Sequence, residues 1–405
     1  MVLRPARLVA NRWGYALGVF SEYLELGMDF DALAQERKAQ LKRIAVLRGG
    51  RDILVFAADL KPSPAPVQIG YDDLLPINDQ LANLHGGALD LILETPGGSG
   101  EAAEDIVKAI RAKYSDVAVI IPGWAKSAGT IMAMAADDIL MEPSTSALGP
   151  IDAQMNSGGK VFSAHALITG FDKIKAEVAA SGVLNKAFIP ILQALSVGEL
   201  ESARNAWDFA KTLVTDWLAT YKFKDWTTHS TTGQPVTAAD KIARAEEIAE
   251  RLRDHGHWKT HGRSIKLADL NAMRLRINDY SGDADLSDAI RRYHTLMQMT
   301  FDSGCYKLFE TPQSQIYRFL GPPVGAPAQQ HGMGGAGIAE VDLDCAKCKR
   351  KSKVQANLGS AQPLKPGNLP FPANNQFKCP GCGAVANLTA IRRTIEMQAK
   401  QPVVG

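Results

Sequence analysis

The chain has 405 residues and carries 45 Lys and Arg against 43 Asp and Glu, a formal net charge of +2. That balance argues against nucleic acid or an anionic membrane as the main partner, and the length implies two or three domains. Only 5 cysteines are present, four of them in a metal-like pattern, which fits a reducing compartment better than a secreted one. The N-terminus lacks the charged, apolar, small order of a signal peptide. Its longest apolar run there, Trp13 to Phe20, is too short to cross a bilayer. A soluble, cytoplasmic protein without a membrane span is expected.

Residues 1–46 read as an N-terminal helical arm with a charged run from Gln35 to Arg43. Arg51 to Leu60 reads as a buried strand, Lys61 to Gln68 as a proline-rich loop, and Leu74 to Leu84 as a helix. From Leu89 to Gln154 a strand–turn–helix pattern recurs. The first strand ends in Pro96-Gly97-Gly98, the second in Lys126-Ser127-Ala128-Gly129, and the third runs into Leu148-Gly149-Pro150. Such a series implies parallel strands joined by right-handed crossovers. Ser163 to Ser181 is an amphipathic helix, with Leu167, Ile168, Phe171, Ile174 and Val178 at helical spacing. Glu199 to Phe223 and Ala238 to Arg253 are two more helices. Ser264 to Asp279 reads as a strand or turn, a short helix and a turn, and Ser287 to Thr300 as another helix. Residues 321–340 read as a Gly/Pro-rich linker, and 341–405 as a small module built on the cysteines.

The central segment sets a serine at a strand-to-helix turn beside a glycine turn. Acyl transfer needs that pairing: a nucleophile and an oxyanion site on rigid elements. Gly97 and Gly98 let backbone approach an acyl oxygen with no Cβ in the way. Ala128 opens a helix, so its N–H has no intrahelical partner. Taken alone, Ser127 reads equally as a plain capping serine. Three pieces change that: ETPGG (Glu94 to Gly98), AKSAGTIMAMAADDILM (Ala125 to Met141) and LGPIDAQ (Leu148 to Gln154), with a weaker fourth, AEEIAERLRDHGHWKTHGRSI (Ala245 to Ile265). In these the chain resembles the Clp protease proteolytic subunit / signal peptide peptidase A superfamily, and within it the serine dehydrogenase proteinase family, over roughly residues 40–280. The resemblance implies an α/β, ClpP/crotonase-like superhelix of βαβ units over 47–320 and a homo-oligomer acting on peptide or protein substrates. It also implies Ser127 as nucleophile, with Gly98 and the Ala128 N–H as the oxyanion hole.

The general base stays open between two residues. The Clp subunit carries its histidine about where this chain has Asp152. On the helical projection Lys175 falls inside the apolar face of its helix, where desolvation would make it a neutral base, and KIKAEVAASG resembles the lysine helix of the Ser-Lys members of the superfamily. His261, in WKTHGRSI, is the other candidate, in a Ser127–His261–Asp152 arrangement. Lys211 and Lys186 are weaker ones, and Cys305 reads as packing.

Cys345-x2-Cys348 and Cys379-x2-Cys382 have the spacing of two zinc knuckles, a closed structural Zn²⁺ site, in a module too small to hold itself by its core alone. The basic run Lys347, Lys349, Arg350, Lys351 and Lys353 offers contact with a protein partner or, weakly, nucleic acid. The function expected is serine endopeptidase. The alternatives are a non-catalytic protease-like scaffold that binds partners through the ribbon, and a crotonase-type acyl-CoA enzyme.

Overall fold

The computed structural model describes residues 18–61, 63–157, 159–320, 337–399 and 401–404. Two compact units part between residues 320 and 321.

The first unit is built on a seven-stranded sheet. Its strands are β1 (Asp52–Ala58), β2 (Ala88–Glu94), β3 (Asp116–Ile121), β4 (Asp138–Met141), β5 (Asn278–Asp279), β6 (Cys305–Glu310) and β7 (Gln315–Phe319), in the order β7-β6-β1-β2-β3-β4-β5. The run from β1 to β5 is parallel; β6 and β7 are antiparallel additions at one edge. The helices of this unit include α1 (Phe30–Leu47), α2 (Leu74–Ala82), α3 (Gly100–Lys113), α4 (Ala128–Met134), α5 (Ala164–Ser181), α6 (Val197–Trp217), α7 (Ala238–Arg253) and α8 (Ala284–Phe301). Helices cover both faces of the sheet. Ile53, Val55, Ile92 and Ile120 pack with Leu41 and Ile44 of α1 and Met297 of α8. Leu54, Leu91, Leu93 and Val119 pack with Ile106 of α3 and Met132 of α4. Burial on both faces is why these strands read as unbroken apolar runs instead of alternating ones.

The expected α/β architecture is present, with three differences. The arm helix α1 belongs to the same core as the sheet: Arg37, inside the charged run, is fully buried, and its guanidinium grips Glu310 of β6 at 3.1 and 3.2 Å. Tyr293 of α8 donates to the same carboxylate at 2.9 Å. A buried arginine is tolerable only with its donors matched in this way. Strands β6 and β7 have no counterpart in the sequence reading, and β5 lies where a turn was expected. The start of the linker, residues 321–336, and the first 17 residues of the arm lie outside the described residues.

In the second unit Ile338–Asp344 and Lys351–Leu358 pair antiparallel, and Leu369–Pro370 and Val403–Val404 complete the sheet. The first strand thus begins at Ile338, inside the stretch read as linker. Gln376–Lys378 and Val385–Asn387 form a separate hairpin. A core of Val354, Ala356, Phe371 and Leu388 is buried beneath them.

Candidate active site and metal centre

Past β3, Trp124–Ala125 pairs in parallel with Ala147–Leu148 and then enters α4 at Ala128. Between them Ser127 adopts φ 51° and ψ −118°. That backbone costs a non-glycine residue of order 1–3 kcal/mol, and a serine so held at a strand-to-helix turn presents its hydroxyl outward. Ser127 is half-buried, and among the described residues its hydroxyl has no hydrogen-bond partner.

The glycine turn lies directly against it. Gly97 and Gly98 have φ of 103° and 151°. A Cβ on Gly97 would stand 2.6 Å from the Ser127 Cβ, and one on Gly98 would stand 2.4 Å from the Ile69 backbone nitrogen. Ile69 N–H donates to the Gly97 carbonyl at 2.8 Å, and Ser99 N–H donates to the Ile69 carbonyl at 3.0 Å. In such a parallel bridge the middle residue turns its N–H the other way. Gly98 N–H is therefore directed away from Ile69, and Ala128 N–H is an unpaired helix-start donor. The two turns are locked in register: Thr95 N–H donates to the Trp124 carbonyl at 2.9 Å, and Lys126 N–H to the Thr95 carbonyl at 3.1 Å. One side of the Gly97–Gly98 edge is thus filled by Ile69.

Asp152 is brought to the same place by a second set of ties. Thr130 Oγ1 on α4 lies 2.9 Å from the Ala125 and Gly149 carbonyls and accepts from Gly149 N–H at 2.9 Å. Leu148 and Ile265 exchange backbone hydrogen bonds of 3.0 and 2.9 Å, which bring in the segment after α7. On that segment His261 Nδ1 sits 2.6 Å from Asp152 Oδ1, and His255 Nδ1 sits 2.8 Å from Oδ2. Gln154 Nε2 adds a donor at 3.1 Å. Asp152 is fully buried. Burial alone would raise its pKa, but the hydrogen bonds and charge of His261 and His255 outweigh this and hold it below the ordinary carboxylate value. The Lys126 ammonium, one residue before Ser127, donates to the carbonyl of Gly262, one residue after His261. The histidine loop and the serine turn are thereby tied together.

Lys175 stands differently from its expectation. Helix α5 forms as read, but only Ala164 and Ile168 on it are buried, and Lys175 is exposed. The helix packs only as far as a small cluster with Leu200 and Ala203 of α6, so among the described residues its last two turns have no core above them to desolvate a lysine. Lys186 is also exposed, and Lys211 lies 3.5 Å from Glu250. Cys305 is buried, and burial pushes its thiol up to about 11, consistent with packing. By sequence His255 and His257 both lie near His261, and it is His255 that folding brings to Asp152. A cavity of about 960 Å³ opens elsewhere, among Asp137, Lys222, Trp226, Arg274 and Arg276, and none of Ser127, Asp152 or His261 lines it.

In the second unit the four Sγ atoms of Cys345, Cys348, Cys379 and Cys382 lie within 4.8 Å of one another. Both knuckles fold alike. Lys349 N–H donates to the Cys345 carbonyl at 2.8 Å and Gly383 N–H to the Cys379 carbonyl at 2.9 Å, each from a residue of positive φ. Cys345 N–H returns to the Arg350 carbonyl and Cys379 N–H to the Ala384 carbonyl. The N–H groups of Cys348 and Lys347 pull the Cys345 thiol down to about 6. The Ala384 N–H acts the same way on Cys382, yet the surrounding sulfurs push that thiol up to about 12. Four thiols this close cannot all ionise without a cation among them, and they are placed to hold a metal ion.

Residues 83–183 match the family described as ClpP-like SDH-type serine proteinase. The uncharacterized proteins MJ0137 and MJ1495 of Methanocaldococcus jannaschii are 46% and 42% identical over 67 residues, 16% of this chain. The match spans 23% of those relatives' length. A mutant form of the 1510-N membrane-bound stomatin-specific protease is 25% identical, covering 35% of this chain and 64% of that one, with a TM-score of 0.22. The family match over residues 83–183 bears out the resemblance carried by ETPGG and AKSAG, and with it the ClpP-like α/β fold of the segment that holds Ser127, the glycine turn and Asp152.

Proposed function

We propose that a chain whose residues 83–183 match the ClpP-like SDH-type serine proteinases is itself a serine endopeptidase, with Ser127 as nucleophile and His261 as general base. The observation that carries the choice of base is the pairing of His261 Nδ1 with buried Asp152 at 2.6 Å, on a loop that Lys126 ties to the serine turn. An ionised carboxylate only accepts, so His261 holds its proton on Nδ1 and offers Nε2 as the base.

The Ser127 Oγ attacks the peptide carbonyl carbon while its proton passes to His261 Nε2. Asp152 stabilises the imidazolium that results. Charge on the carbonyl oxygen is met by the N–H groups of Gly98 and Ala128, each such donor being worth about 10²–10³ in rate. The tetrahedral species collapses, the C–N bond breaks, and His261 returns its proton to the leaving amine. Water then repeats the sequence on the acyl-serine. The chain order Ser127, Asp152, His261 exchanges the places of histidine and aspartate relative to the Clp subunit the chain resembles.

The same reading includes peptide substrates laid along the open side of Gly98, a soluble cytoplasmic homo-oligomer, and a structural Zn²⁺ on the four cysteines. Among the described residues no helix is long and apolar enough to cross a membrane. The exposed Lys347, Lys349 and Arg350 would meet a partner of the ribbon.

A fluorophosphonate probe tests the assignment. Wild type should label, Ser127→Ala should not, His261→Ala should label at least about 10²-fold more slowly, and Lys175→Ala should match wild type. A folded wild type that does not label would favour the scaffold or crotonase reading. Slow Lys175→Ala beside normal His261→Ala would restore the lysine.

A further inference from the structure

We infer that His255 is a positioning residue of the Ser127 site, acting on His261 through the carboxylate they share. The inference rests on the serine-peptidase reading above. Asp152 is fully buried and presents one oxygen to each ring, Oδ1 to His261 at 2.6 Å and Oδ2 to His255 at 2.8 Å. Because the carboxylate only accepts, both rings donate their Nδ1–H and both turn Nε2 outward. The two rings do not face the same surroundings. His261 precedes Gly262, whose carbonyl takes the Lys126 ammonium beside the nucleophile. His255 faces α5 and α6: its ring centroid lies 6.1 Å from that of His165 on α5, which lies 5.2 Å from that of Trp207 on α6.

A carboxylate gripped at one oxygen alone can swing about its Cβ–Cγ bond. His255, with Gln154 at 3.1 Å on the same Oδ2, holds the carboxylate plane so that Oδ1 stays in line with His261. The place of His255 is itself fixed. Ile151 N–H donates to the Leu252 carbonyl at 3.1 Å, which joins the Asp152 loop to the end of α7, three residues before His255. The titratable groups that face His255 are Asp152 from that loop, His261 across the carboxylate and His165 from α5. Asp254 and His257 share its own short helix, where Asp254 caps His257 N–H.

The test is the rate of fluorophosphonate labelling of the full chain as a function of pH, with thermal melts to check folding. His255→Phe, which keeps a ring and loses the donor, should slow labelling about ten- to a hundredfold, the range for loss of one charge-assisted hydrogen bond. His255→Asn, whose amide Nδ2 stands where the ring Nδ1 does, should recover most of that rate at neutral pH. His255→Phe labelling at the wild-type rate with the wild-type profile would overturn the inference. So would a folded His255→Asn that is as slow as His255→Phe. A wild type that does not label at all would overturn the serine reading first, and this inference with it.

Discussion

At the scale of single residues the account turns on one strained serine and one buried carboxylate. Ser127 keeps a backbone that an unconstrained serine would leave, so its neighbours must impose it. Gly97 makes room for it, since a Cβ there would collide with the serine side chain. Gly98→Ala, with its Cβ 2.4 Å from the Ile69 backbone, should push Ile69 away and swing the oxyanion donor; we expect kcat to fall at least about 10²-fold with a smaller change in KM, checked by steady-state hydrolysis of a fluorogenic peptide. Asp152 gives a pH prediction whose sign follows from its partners. Its folded-state pKa lies below the ordinary value because His261 and His255 overcome the effect of burial. Its stabilising contribution is complete above the ordinary carboxylate range and is lost as pH falls through the lowered value. Asp152→Asn should therefore cost about 1–3 kcal/mol at neutral pH, and the gap from wild type should close on the acid side, as read from urea midpoints across that range.

Elements explain how distant parts of the sequence meet. Ser127, Asp152 and His261 come from three turns, and three short ties align them: the Thr95 pairing with Trp124 and Lys126, the Thr130 hydroxyl with Gly149, and the Leu148–Ile265 bridge. Thr130→Val removes the second tie while leaving its volume; we expect activity to fall more than the melting temperature, since α4 stays packed by Ile131 and Met132. Much of this scaffold was legible. Apolar runs flanked by turns gave the parallel strands, and the glycine turn and Lys126-Ser127-Ala128 marked the place of the proposed site. What stayed hidden was non-local. β6 and β7 are short antiparallel strands whose pairing depends on an edge formed some 250 residues earlier, so periodicity alone could not reveal them. Lys175 lies on a face of α5 that is apolar by projection, but burial on that helix ends at Ala164 and Ile168 and Lys175 itself is exposed. His261 and His255 gained their meaning only when folding placed both on Asp152.

For the whole molecule, the two units rest on different kinds of stability. The first has a large sheet core buried on both faces. The second has a core of about nine residues and four thiols that cannot share charge without a cation. Removal of metal by a chelator, or Cys379→Ser, should unfold the ribbon and leave the first unit's melting transition in place. Two resolved calorimetric transitions, the smaller one restored by Zn²⁺, would bear this out; one shared transition insensitive to chelation would contradict it.

The central proposition is that the Ser127 oxygen becomes covalently acylated, and mass spectrometry of the protein trapped in acid during turnover of a peptidyl ester reads this directly. The account requires a single acyl adduct mapped to the peptide containing Ser127, absent in Ser127→Ala and slow to form in His261→Ala. Turnover without any adduct on that peptide, or an adduct that survives Ser127→Ala, would contradict it.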